Sequence, residues 1–369
     1  MNSKPLVRRT LLAAALAVAL TAGVADACTR VLYVAPDGTV ITGRSMDWAE
    51  DMHSNLWVFP RGMVRNGLGG ADTPVWTSKF GSLIVSGYDV GTADGVNEKG
   101  LVANVLYLAE SDYGKPIAGK PMLSISLWAQ YVLDNFGTVD EAVTALQAES
   151  FRIAAPLLPN GQGAQLHLSI SDASGDSAVF EYIAGKLVVH HGRDYVVMTN
   201  SPSYDQQLAL NSYWKGIGGL DFLPGTNRAA DRFVRASFLL EAIPRAVDKN
   251  YISAVPEQKF ALQAAASVLS VMRSVSVPLG ITTPGQPNIS STLWRTVIDQ
   301  KNKVMLFDSV TAPSAFWIPL DKLDFTAGAP VRMLKVAGGH VYSGDASASF
   351  ENAKPFAFLP GSGIPSGKS

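Results

Sequence analysis

A single cysteine occurs among the 369 residues, so no disulfide can close within the chain and thiol chemistry belongs to one position. Charge is sparse as well: 17% of residues carry it, 30 basic against 31 acidic, and no long block of one sign appears. The electrostatic footprint of a nucleic-acid binder is therefore missing. After the first 27 residues no segment offers the 18 or so uncharged apolar residues that would cross roughly 30 Å of bilayer hydrocarbon, so no membrane span is expected. Repeats of fixed period and a G-x-x-x-x-G-K-[ST] phosphate loop are also lacking. The glycine-rich stretches 161–163 and 216–219 lack a preceding strand joined to a full dinucleotide fingerprint and read as loops. The five histidines show no H-E-x-x-H spacing, and His190 and His191, adjacent on one strand, point to opposite faces. A small-molecule ligand is what these exclusions leave.

What is present begins with a leader. Lys4, Arg8 and Arg9 make a basic start, residues 11–24 carry no charge, and Ala25-Asp26-Ala27 puts small residues at both cleavage-recognition positions. Residues 1–27 thus read as a secretory signal peptide, and its removal leaves 27 basic against 30 acidic residues. With 47% hydrophobic residues the remainder can bury a sizeable core. We take 28–359 as one domain and 360–369, rich in Gly, Pro and Ser, as a loose tail. The expected location is periplasmic or secreted.

The lone cysteine, Cys28, directly follows Ala27 and becomes residue one if cleavage falls there. Three readings follow from that address. Cys28 can open the first strand as a small buried apolar residue, the commonest fate of a free cysteine. It can carry a lipid, which would make the protein a membrane-tethered binder, although Ala25-Asp26-Ala27 lacks the bulky aliphatic residue such processing favours. Or it can act chemically: a terminal cysteine joins a thiol to an α-amine of pKa about 7.7 to 8.0, so that nucleophile and base share one residue.

Downstream, short strands alternate with turn signals. Strands are predicted at 29–34 and 39–44 around the Pro36-Asp37-Gly38 turn, then at 82–87, 101–108, 166–172, 177–183, 186–191, 195–199, 292–298 and 303–308. Helical periodicity marks 122–135, 139–146 behind a Thr138 cap, 204–214, 229–242 and 257–275. Strand runs and helix runs segregate, which predicts an α+β layered domain with largely antiparallel sheets.

Cys28-Thr29-Arg30 followed by Gly43-Arg44-Ser45-Met46-Asp47-Trp48 resembles the opening of the choloylglycine hydrolase family, the bile salt hydrolases and penicillin V acylases among the N-terminal nucleophile (Ntn) hydrolases. Asn97-Glu98-Lys99-Gly100-Leu101, Met198-Thr199-Asn200-Ser201-Pro202 and Asp231-Arg232-Phe233 continue the match in the family's order. The resemblance implies a four-layer αββα sandwich of two stacked antiparallel sheets, a tetramer, and amide cleavage without metal or cofactor. It implies further that Cys28 is the nucleophile and that Arg44 favours its thiolate. Asp47 would hold the terminal ammonium, and Asn200 with the Tyr107 backbone would receive the oxyanion. Arg232 would lie near the nucleophile, Arg235 being the alternative one helical turn on. Tyr107 stands where bile salt hydrolases tend to carry Asn and penicillin V acylases Tyr. Trp48 should alternate away from Asp47 and line the acyl pocket only if the chain turns there. The implied substrate is a penicillin V-like amide with an apolar acyl group, then an N-acyl homoserine lactone, then a conjugated bile salt.

Overall fold

The computed structural model describes residues 28–282 and 290–362. The signal peptide expected at 1–27 lies outside the described residues, as do 363–369 of the expected tail.

The first hairpin forms as its sequence dictates. Strand β1 (Thr29–Val34) pairs antiparallel with β2 (Val40–Trp48), and Arg30 stands opposite Arg44. Asp37 accepts a hydrogen bond from the Thr39 N–H at 2.9 Å, and Gly38 takes the left-handed φ of 87° that the turn requires. β1 and β2 lie inside a seven-stranded sheet ordered Val197–Met198, β1, β2, Ser291–Asp299, Val304–Ser309, Phe316–Pro319 and Gly344–Asp345. A nine-stranded sheet runs Lys186–His191, Ser177–Ile183, Leu166–Ser171, Val102–Tyr107, Gly91–Asn97, Ser82–Gly87, Leu56–Phe59, Arg332–Leu334 and Glu351–Asn352. Apart from the edge pair Phe316–Pro319 and Gly344–Asp345, which is parallel, the pairings in both sheets are antiparallel.

Alternation along the strands sorts side chains between two apolar clusters. Leu56, Val58, Leu83, Val85, Val102 and Leu106 point toward the first sheet and belong to one cluster with its Met46. Their neighbours Trp57, Phe59, Ile84, Leu101, Ala103 and Val105 point the other way, into a cluster closed by helices α1 (Trp128–Asn135) and α2 (Val139–Gln147). The far face of the first sheet is covered by α4 (Ala229–Ala242) and α5 (Phe260–Ser274), with α3 (Tyr204–Ile217) packed on α4. Helix, sheet, sheet, helix is the expected α+β sandwich. Thr138 caps α2 as predicted, accepting from the Glu141 N–H at 3.3 Å.

Several boundaries differ from expectation. Residues 122–135 are helical only from Ile125, because Met122–Ser124 form a strand paired in parallel with Arg152–Ala154; a short apolar run fits either period. Glu257, at φ 56°, breaks the helix expected from 257, and α5 starts at Phe260. The 195–199 strand shrinks to Val197–Met198. The tail is docked at its start: the Gly361 N–H donates to the Leu68 carbonyl at 2.8 Å.

Candidate active site

Cys28 immediately precedes β1 and is buried, with its sulfur against the end of β2. The Asp47 N–H points at Cys28 Sγ from 3.5 Å, and Sγ lies 3.6 Å from the Asp47 carbonyl oxygen and 3.8 Å from Met46 Sδ. Met46 Sδ in turn receives a contact from Arg44 Nη2 at 3.6 Å. Arg44 is fully buried, donates to the Val105 carbonyl across the sheet–sheet interface at 3.1 Å, and lies 4.6 Å over the Trp294 ring. Among the described residues its Nε and Nη1, both buried, have no hydrogen-bond partner and no carboxylate pairs directly with the guanidinium.

Residues 44, 46 and 48 share one face of β2, and all three line the cleft into which Cys28 opens. Trp48 therefore lines the cleft with the strand regular to its end; no turn is needed. The irregularity falls on the neighbouring strand, where the register shifts between Thr292 and Trp294. Asp47 faces the other way. It takes a hydrogen bond from Ser45 Oγ at 3.4 Å, while its Oδ1 is buried without a hydrogen-bond partner among the described residues. Burial pushes the Asp47 carboxyl up to about 6, against the pull of Arg232, the Thr292 hydroxyl, Arg44 and Ser45.

Arg232 ties the distant pieces together. From the first turn of α4 its Nη1 donates to the Cys28 carbonyl at 2.7 Å and to Thr29 Oγ1 at 2.5 Å, and its Nη2 donates to Asn200 Oδ1 at 2.9 Å. Asn200 Nδ2 then donates to the Tyr107 carbonyl at 2.7 Å. A primary amide has two N–H donors, and this bond uses one. Arg235 is elsewhere: it donates to the Pro224 and Thr226 carbonyls at 2.8 and 2.7 Å, outside this network. Arg44, Trp48 and Tyr107 thus line the cleft of Cys28, Asp47 touches its sulfur through the backbone, and Arg232 and Asn200 join the network that starts at its carbonyl.

Sequence reasoning missed the groups that hold Asn200. Gln207 on α3 donates to the Asn200 carbonyl and, at 2.9 Å, to that of Pro202, and it accepts from Thr199 Oγ1 at 2.6 Å. Buried His167 binds the Thr199 carbonyl through Nε2 at 2.8 Å, its Nδ1 lying 2.9 Å from Glu181. A carbonyl only accepts, so Nε2 carries a proton there. Met46 could have been found from its parity with Arg44. Gln207 and His167 carried no local signal.

The cleft wall is apolar, formed by Met52, Ala93, Val105, Ile125, Leu158 and Leu359 among others. Apart from Arg44, the polar side chains of the wall are engaged with one another or with the scaffold. Thr92 donates to Gln130 at 2.8 Å, Ser126 to the Leu359 carbonyl at 2.8 Å, and Tyr107 to Gln165 at 2.9 Å. Trp48 Nε1 donates to the Tyr88 hydroxyl at 2.7 Å, and that hydroxyl donates to Glu50 at 2.6 Å.

A model of the linear amide C–N hydrolases of the choloylglycine hydrolase family matches residues 28–332. A penicillin V acylase of Pectobacterium atrosepticum is 50% identical over 362 residues, 92% of this chain and 95% of that protein. A bile salt hydrolase/transferase of Clostridium perfringens is 30% identical over 243 residues, 58% of this chain and 72% of its own. Among solved structures, a penicillin V acylase from Agrobacterium tumefaciens matches with a TM-score of 0.81 at 55% identity, covering 90% of this chain and 99% of its own. The conjugated bile acid hydrolase of Clostridium perfringens, at 22% identity and TM-score 0.69 over 86% of this chain and 98% of its own, shares the fold.

Proposed function

The chain belongs to the choloylglycine hydrolase family of linear amide C–N hydrolases, and from that premise we propose that it is an exported, penicillin V acylase-like enzyme whose nucleophile is Cys28, freed as the terminal residue. The observation that carries this reading is the unbroken hydrogen-bonded line from the Cys28 carbonyl through Arg232 and Asn200 to Tyr107, which ties the residue bearing the nucleophile to the amide donor. Membership in a hydrolase family supports catalysis over a binding role for the same scaffold. That the family match itself starts at residue 28 supports cleavage after Ala27.

In the proposed reaction the Cys28 α-amine takes the thiol proton and sulfur attacks the amide carbonyl. The buried Arg44 cation favours the anionic sulfur, with the Met46 thioether between them. Negative charge gathers on the former carbonyl oxygen, toward the second Asn200 N–H and the Tyr107 backbone. The α-ammonium gives its proton to the leaving nitrogen, the C–N bond breaks, and a thioester remains. Water, losing a proton to the amine, attacks that thioester; the acid departs and the proton returns to sulfur. Asp47 Oδ1, buried without a hydrogen-bond partner among the described residues, is the acceptor that would hold the ammonium.

An apolar acyl group follows from the engaged hydroxyls of the cleft: a polar chain would lose water there and find few donors in return. Phenoxyacetyl amides fit this wall and the Trp48 and Tyr107 rings. The same wall suits a long acyl homoserine lactone, which makes that amide the second reading; conjugated bile salts come third. As an oligomer the protein would cover Tyr213, Leu220 and Phe222, large apolar side chains exposed on α3 and just after it.

The test is the purified mature protein, its terminus checked by intact mass and its turnover measured on phenoxyacetyl, long-chain acyl lactone and glycine-conjugated bile amides. A free Cys28 terminus with turnover strongest on phenoxyacetyl amides is expected, and Cys28→Ala should lose that turnover by at least about 1000-fold while remaining folded. Comparable failure on all three amides would sink the proposal.

A further inference from the structure

We propose that Leu359, carried by the C-terminal segment, is the residue that limits the length of the acyl group, an inference that rests on the amidase reading above. Leu359 is 2% exposed and lines the cleft with Cys28, yet it lies beyond residue 332, where the family match ends. That part of the acyl wall is therefore built from sequence outside the matched family pattern.

The wall is fixed rather than loosely draped. The Leu359 N–H donates to the Val90 carbonyl at 2.8 Å, and the Leu359 carbonyl accepts from Ser124 Oγ at 2.6 Å and Ser126 Oγ at 2.8 Å. On one side Phe358 packs on Phe59 with ring centroids 6.4 Å apart, and Phe356 packs edge-on to Trp57 at 5.2 Å. On the other, Gly361 approaches so closely that a Cβ there would stand 2.5 Å from the Ala154 Cβ. Both flanks of Leu359 are anchored, so an acyl chain that reaches it meets a side chain whose backbone cannot retreat. Ser124, the last residue of strand Met122–Ser124, and Ser126, in the helical turn that follows it, turn their hydroxyls to that same Leu359 carbonyl.

Trimming Leu359 to alanine removes three carbons and should admit a correspondingly longer acyl group. At about fourfold in kcat/KM per methylene accommodated, Leu359→Ala is expected to raise the ratio of kcat/KM for a longer to a shorter straight-chain acyl amide by at least tenfold, mostly through KM. Leu359→Phe should move that ratio the opposite way. Gly361→Val, which cannot dock against Ala154, should shift it in the same direction as Leu359→Ala by releasing the anchor. The experiment is a series of straight-chain acyl amides of one amine, from butanoyl to dodecanoyl, run on wild type and the three variants, with thermal melts to check folding. Ratios within about twofold of wild type in both Leu359 variants overturn the assignment. If wild type cleaves none of the series, the amidase reading has failed; the length limit is then read from dissociation constants of the corresponding free carboxylic acids by calorimetry, and a length profile unchanged by Leu359→Ala overturns it there.

Discussion

At the scale of single residues, Asp47 couples activity and stability with opposite signs. Its carboxyl is pushed up to about 6 by burial, and in the proposed reaction it acts as the carboxylate that grips the terminal ammonium. The acidic limb of kcat/KM is therefore expected at or below pH 6, since a neighbouring ammonium pulls the carboxyl down again. Asp47→Asn should lower the rate by about 100-fold and displace that limb; a pH–rate profile of unchanged shape in this variant would assign the limb to another group. Stability runs the other way. A carboxyl raised in the folded state contributes fully below its unfolded value near 3.9, and the contribution is lost as pH rises through about 6. The enzyme works where this residue stabilises it least, which is the behaviour of a group retained for chemistry.

At the scale of elements, β2 does most of the assembling. Its even-numbered residues from 44 to 48 face the cleft, while Gly43 faces α5. A Cβ on Gly43 would stand 2.8 Å from both Met272 Cγ and Val268 Cγ1, so the helix seats directly on bare backbone there. Gly43→Val is expected to destabilise the fold by about 1–3 kcal/mol through overpacking. Because Gly43 neighbours Arg44, the same variant should lose activity before it unfolds. Chemical denaturation alongside turnover at low temperature checks both, and an unshifted midpoint would mean that α5 is free to move away. Helix α4 contributes by position: Arg232 sits in its first turn, within reach of the Cys28 carbonyl, whereas Arg235 one turn later reaches only the 224–226 loop.

At the scale of the whole molecule, the apolar side chains of α3 and the segment after it face solvent in a single chain. Leu220 is 93% exposed, and its neighbours Tyr213 and Phe222 are 65% and 56% exposed. A second copy packed there would bury them, in line with the expected tetramer. Light scattering of the mature protein is expected to give a mass above that of one chain, and Leu220→Ser with Phe222→Ser should lower it; a wild-type monomer at micromolar concentration would contradict the assembly. Inside the sandwich, Asp94 shows how the layers are bound together by polar contacts. It accepts from Asn104 in its own sheet and from Thr296 in the other, and burial raises its carboxyl against the nearby Arg44.

The sequence by itself determined the hairpin, the parity that sets Trp48 apart from Asp47, the segregation of strands from helices, and the family through motifs each compact enough to read locally. These are properties of neighbours along the chain, where a period of two or 3.6 residues suffices. Tertiary structure alone decided which of two helical arginines meets Cys28, which side of β2 faces the cleft, that Gln207 and His167 hold the backbone at Thr199 and Asn200, and that Leu359 lines the cleft. Each of those depends on contacts between segments far apart in sequence, as when residue 359 meets residue 90. No local periodicity encodes such a meeting; the packing of layers does.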